Sequence, residues 1–151
     1  MSEIINQVSD KEIAKEYKRR FFLKSGDKLS SSTDAVSHIT VLLSNDTSIE
    51  QFAVIFLNAA NCIITSKIMF KGSLTSSAVY PREIIKKALE LNAVSIIIGH
   101  NHPSGETKPS QDDINITNKI KDACNTVDIV LHDHIIVTGT SYYSFSDEGL
   151  V

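Results

Sequence analysis

The chain has 151 residues, 42% of them hydrophobic and 22% charged, with a formal net charge of −3 at pH 7. That length fits one compact domain with one sizeable core. The balance is that of an ordinary globular protein, and it excludes a global basic field for holding nucleic acid.

Residues 1–30 read as a polar N-terminal extension. Within it, Ile13 to Tyr17 fits either an edge strand, able to pair with another chain, or a helix, and the pattern does not choose. Lys18-Arg19-Arg20 is the one notable basic cluster and reads as the solvated end of an element. The opening residues carry no signal-peptide core, and no apolar run reaches the length of a membrane span. Cys62 and Cys124 form no CxxC pattern and read as free thiols in a reducing compartment. The expectation is a soluble, cytoplasmic protein with no membrane contact.

Ser30 to Asp34 is rich in helix-capping residues. Ala35, Val36, Ile39, Leu42 and Leu43 follow at helical spacing, so a helix is predicted to end near Asn45-Asp46. Gln51–Leu57 and Cys62–Phe70 read as two strands of a hairpin turning at Asn58–Asn61. Gly72 to Ser77 is a loop, and Pro81 opens a helix with Ile84, Ile85, Ala88 and Leu89 on one face. Val94 to Ile98 reads as a strand buried on both faces in mid-sheet. The loop Gly99–Pro109 follows, then a helix from Ser110 with Ile116, Ile120 and Ala123 inward. Ile129–Thr138 and Tyr142–Phe145 close the chain as strands. The pattern is a mixed α/β domain, with helices covering a central sheet.

The chemistry lies in Gly99-His100-Asn101-His102-Pro103-Ser104-Gly105 and the following Pro109-Ser110-Gln111-Asp112-Asp113. If strand geometry continues past Ile98, the two histidines point to one side and can share a metal ion. Ser110-x-x-Asp113 has two readings. One is a capping box at a helix start. In the other, Asp113 shares a helix face with Ile116 and Thr117, points inward and needs a cationic partner. Two histidines, one carboxylate and an open fourth position make the ligand set of a catalytic zinc site, and such zinc lowers the pKa of a bound water to about 7. Pro103, Gly105 and Pro109 would stiffen the intervening loop. Among the remaining histidines, His38 reads as a surface or packing residue, and His132-Asp133-His134 lacks a suitably placed acid for a second site.

The string HxH, seven residues, then SxxD, joining a buried strand to a helix, resembles the JAMM signature of JAB/MPN domains. The fuller form, HNHPSG with PSxxD, is similar to RadC-family proteins. So are PREIIKKALELNA before it and Asp133–Val137, Tyr143–Phe145 and Glu148–Leu150 after it. The likeness runs from about Ser30 to Val151 and implies a JAB/MPN domain over 31–151. It implies a cytidine-deaminase-like, three-layer α/β fold around a mixed sheet, with one Zn2+ on His100, His102 and Asp113. It also implies Glu50 as general acid/base and Ser110 as oxyanion donor. The activity implied is metalloprotease or isopeptidase hydrolysis. Glu106 is the second choice for the base, and His134 reads either as a structural residue or as one that orients a ligand by hydrogen bond. Long RadC proteins add a DNA-contacting helix-hairpin-helix-like segment that residues 1–30 do not resemble, so the family's DNA-repair label transfers weakly. The alternatives are a non-catalytic binding or scaffold module of DNA repair or mobile elements, and a metal-dependent nuclease or phosphatase. Substrate, partners and oligomeric state are not legible.

Overall fold

The computed structural model describes residues 8–75 and 78–151. The first seven residues of the extension, and Ser76 and Ser77 of the predicted Gly72–Ser77 loop, lie outside the described residues. Helix α1 spans Asp10–Phe21 and α2 spans Ser32–Leu42, followed by strands β1 (Gln51–Leu57) and β2 (Ile63–Lys71). Helix α3 (Pro81–Glu90), β3 (Ser95–Asn101), α4 (Gln111–Thr126), β4 (Val130–Val137) and β5 (Tyr142–Ser144) complete the order. The strands form one sheet in the order β2-β1-β3-β4-β5, antiparallel except for the β3–β4 pair. A parallel pair needs a crossover, and α4 supplies it.

Three layers result. One face of the sheet carries Ala53, Ile55, Ile97, Ile135 and Val137 against Ala35, Ile39 and Leu43 of α2 and its end. The other carries Phe52, Val54, Phe56, Ile96 and Ile98 against Ile84 and Ala88 of α3 and Ile116, Ile120 and Cys124 of α4. Strands β1 and β3 are buried along their whole length, as the uninterrupted apolar run in β3 foretold. Gly99 allows α2 to sit close. A Cβ there would lie 2.7 Å from Ile39 Cδ1 and 2.8 Å from Ile39 Cγ2.

Helices α3 and α4 end alike. Asn92 and Asp128 take left-handed backbone at φ 52° and 58°, and the next N–H reaches back along the helix, from Ala93 to Ala88 O and from Ile129 to Cys124 O. This motif usually uses glycine; here an asparagine and an aspartate tolerate the conformation. Both helices thereby turn directly into the strands that follow.

Several expectations need correction. Ile13–Tyr17 is part of α1 and not an edge strand, because Ser9 and Glu12 form a reciprocal capping box that starts a helix. Leu89 is 53% exposed and lies off the packed face of α3, and Cys124 rather than Ala123 completes the buried stripe of α4. Helix α2 stops at Leu42, short of Asn45. His38 is fully buried: the Leu23 N–H donates to its Nδ1 at 2.9 Å, and its Nε2 lies 2.8 Å from Ser66 Oγ. Among the described residues no helix is long and apolar enough to cross a membrane.

Candidate metal centre

Strand β3 carries His100 at its end, and the ladder continues one step further because the His102 N–H donates to Val137 O. The two histidines therefore project to the same side, with ring centroids 4.8 Å apart. Helix α4 brings Asp113 to them from its first turn. His100 Nε2 lies 3.2 Å from Asp113 Oδ1, His102 Nε2 lies 3.1 Å from Asp113 Oδ2, and the two Nε2 atoms are 2.9 Å apart.

Both readings of Ser110-x-x-Asp113 hold at once. Ser110 Oγ accepts the Asp113 N–H at 3.0 Å, and the Ser110 N–H donates to Asp113 Oδ2 at 2.8 Å. The capping box aims the carboxylate at the rings. Burial works to raise the Asp113 pKa, but its contacts with the His100 and His102 rings outweigh it and hold the carboxyl well below its usual range.

The protons on the rings can be assigned by following which atoms must donate and which must accept. Thr117 Oγ1 donates to the Asp113 backbone O at 2.6 Å, so it must accept from His134 Nδ1, also at 2.6 Å. His134 Nε2 is then a bare acceptor and takes the His100 Nδ1 proton at 2.8 Å. That leaves His100 Nε2 bare. His102 Nδ1 donates to Glu106 O at 2.7 Å, which leaves His102 Nε2 bare as well. Two lone pairs and a carboxylate thus face one point, an arrangement that a cation satisfies. Without a metal a proton takes this role, and the Asp113 carboxylate raises the His102 pKa accordingly.

The donor set fits zinc. Ligand atoms about 2.0–2.1 Å from a tetrahedral ion lie roughly 3.3 Å from each other, close to the observed 2.9–3.2 Å. His100, His102 and Asp113 also form a compact group of potential metal ligands, with one donor atom of each within 4.8 Å of the others. Phe52 stacks on His100 at 6.1 Å, and Phe145 stacks on His134 at 4.6 Å. This apolar wall excludes water and pushes the fully buried His134 well below its ordinary pKa, keeping it neutral.

Glu50 immediately precedes β1. In the β1–β3 register Phe52 pairs with His100, so two residues back Glu50 comes level with His102, on the same side. Its Oε2 accepts the Leu74 N–H at 2.8 Å, and its charge contributes to raising the His102 pKa. Glu50, His102, Ser110 and Asp113 line one cleft of about 710 Å³, while His100 is buried behind His102 and Asp113. Glu106 lines the same cleft from the exposed loop.

Two positioning residues escaped the reading of the sequence. Thr117 sets the ring tautomers; its only sequence signal is that it lies four residues after Asp113 on the helix. Asn101, between the histidines, points the other way. Its Oδ1 accepts the Gln51 N–H at 2.7 Å and its Nδ2 donates to Ile49 O at 2.9 Å, so it clamps the backbone on both sides of Glu50. The second HxH builds no site. A register shift in β4 throws His132 outward, and Asp133 is taken by Ser144 Oγ at 2.6 Å and the Ser146 N–H at 2.9 Å.

The RadC-like JAB domain family matches residues 29–150. The chain belongs to that family. Among its relatives, a UPF0758 protein of Photobacterium profundum is 46% identical over 127 residues, covering 84% of this chain and 56% of its own length. The UPF0758 protein YfjY of Escherichia coli is 46% identical over 102 residues, covering 68% and 64% respectively. A UPF0758 protein of Clostridium beijerinckii is 40% identical over 140 residues, covering 93% and 61%. The chain thus spans between 56% and 64% of the length of these relatives. In this RadC-like domain the three converging side chains lie at the end of β3 and the start of α4.

Proposed function

We propose that this RadC-like domain is a zinc-dependent hydrolase of the JAMM type that cleaves a peptide or isopeptide bond. The observation that carries the reading is the convergence of the Nε2 atoms of His100 and His102 on the Asp113 carboxylate beside an open cleft. Zinc held here would supply Lewis acidity and lower the pKa of a water to about 7. His100, His102 and Asp113 would hold it. Glu50 accepts the proton of the attacking water and passes it to the leaving amine. The Ser110 hydroxyl accepts from the helix start, so its own proton is available for the oxyanion that develops on the substrate carbonyl. A role on DNA gains no support from charge, since Arg19 and Arg20 of the basic run are both paired with Glu16.

The test has two parts. Metal analysis of the purified protein should give one zinc per chain, and His100→Asn and Asp113→Asn should each lose it. A mixture of peptides and lysine-linked isopeptides should be cleaved by the zinc-loaded protein and left intact by Glu50→Gln, which keeps its zinc. A full zinc equivalent in Asp113→Asn, or cleavage undiminished in Glu50→Gln, would overturn the proposal.

A further inference from the structure

Helix α1 carries a surface that the metal centre does not use. None of its residues is buried, yet Ile13, Tyr17 and Phe21 recur every four residues and are 46%, 40% and 42% exposed. Val8, at the residue before the N-cap, continues the stripe at 40% exposed. Four of the exposed large apolar side chains among the described residues therefore lie on one short element. Isolated surface apolar residues need no explanation, but a contiguous stripe does. Two shallow grooves flank it. One is bounded by Thr40 and Val41 of α2, and the other by Glu12, Glu16 and Arg20 of α1 itself. Ile13 and Tyr17 border both and form the ridge between them.

We propose that α1 joins two copies of this chain into an antiparallel, two-fold symmetric dimer, with the axis passing close to Tyr17. A ridge beside its own grooves is self-complementary, as a two-fold contact requires. In this arrangement Ile13 comes level with Phe21 of the partner subunit. The charges also fit: Glu12 and Glu16 lie in the N-terminal part of the groove and Arg20, which bridges to Glu16 on its own exposed helix face, in the C-terminal part. Running antiparallel, Arg20 of the partner subunit comes level with position 14, between Glu12 and Glu16. A parallel pair would set Glu12 and Glu16 against their own copies.

The size of the contact sets the strength. Twelve residues make a helix roughly 18 Å long, and one such helix pair buries less than the roughly 1,200 Å² of a stable interface. The dimer should therefore be reversible, with a Kd on the order of 10–100 µM.

Sedimentation velocity of the full chain across that concentration range tests this, independently of whether the metal centre is catalytic. The native chain should pass from monomer to dimer and stop there. Tyr17→Glu, which places two carboxylates at the axis, should be monomeric throughout with an unchanged circular dichroism spectrum, and Tyr17→Phe should still dimerise. In a Cys62→Ser background, Tyr17→Cys should oxidise to a disulfide-linked dimer, whereas Ile13→Cys should crosslink with Phe21→Cys and not with itself. A monomer at every concentration, whose stripe then serves another partner, would overturn the proposal. So would open-ended assembly, a dimer indifferent to Tyr17→Glu, or efficient crosslinking of Ile13→Cys to itself.

Discussion

Replacing Thr117 by valine removes one hydroxyl with almost no change of shape, at a residue that touches none of the potential ligand atoms. The Oγ1 is both the acceptor for His134 Nδ1 and the donor to Asp113 O, each at 2.6 Å. In Thr117→Val the His134 Nδ1–H is left buried without a partner, which costs about 1–3 kcal/mol. His134 can escape by moving its proton to Nε2, but that proton then faces His100 Nδ1, and His100 must carry its own proton on Nε2. The ligand lone pair is lost in exchange. When the metal-free protein escapes in this way, recovering the metal-competent tautomer costs up to the same 1–3 kcal/mol, or up to roughly 5- to 150-fold in affinity. This agrees with the 10- to 100-fold typical of residues that orient a ligand histidine. Competition of the protein against a chromophoric chelator for zinc measures the effect directly, and Thr117→Ser should retain native affinity. If Thr117→Val binds zinc within twofold of the native chain, the proton assignment along Thr117, His134 and His100 is wrong.

Other perturbations probe the frame around the site. Burial lowers the His38 pKa to about 4 from its ordinary 6.5. The unfolded chain then takes up the proton first, so the stability conferred by neutral His38 is complete above pH 6.5 and is lost as pH falls towards 4. Urea midpoints should show about 2–3 kcal/mol lost between pH 7 and 4.5 that is absent in His38→Gln. Gly99→Ala should cost about 1–3 kcal/mol, read by thermal unfolding, because the new methyl meets the buried Ile39 and the sheet backbone allows little retreat. Asn101→Ala removes the acceptor of the Gln51 N–H. Hydrogen exchange at Gln51 should accelerate at least tenfold while zinc affinity stays within a few-fold, since Asn101 holds Glu50 and not the ion.

What the sequence made legible was local. The HxH spacing, the buried run before it and the Ser-x-x-Asp start are each set within a few residues of chain, and the structure shows all three. Pro81 and the N-cap cluster before Ala35 marked helix starts for the same reason. Ile13–Tyr17 stayed open between strand and helix because the deciding features, the Ser9–Glu12 capping box and the apolar spacing through Phe21, lie on either side. Long-range pairing was out of reach. Nothing near Thr117 announces His134, seventeen residues on, and Asn101 meets the backbone around Glu50 only after β1 and β3 align. The placement of Glu50 beside His102 likewise follows from sheet register, which needs the pairing partner of β1 to be known.

The polar network closes on itself. The Asp113 carboxylate faces His100, His100 donates to His134, His134 donates to Thr117, and Thr117 returns to the Asp113 carbonyl. Strand β3, strand β4 and the first turn of α4 are thus tied by one circuit whose members are all buried. Phe52 and Phe145 stack against two of its rings. Such a circuit has a single consistent set of donors and acceptors, and that set leaves the bare nitrogen of His100 facing Asp113 and His102. The capping box does the same for the carboxylate, because Ser110 holds Oδ2 from the helix start. The ligands are therefore arranged before any ion arrives, and binding need not repay the entropy of ordering them. One aspartate can therefore cap the helix and face both histidines at once, because α4 begins beside them.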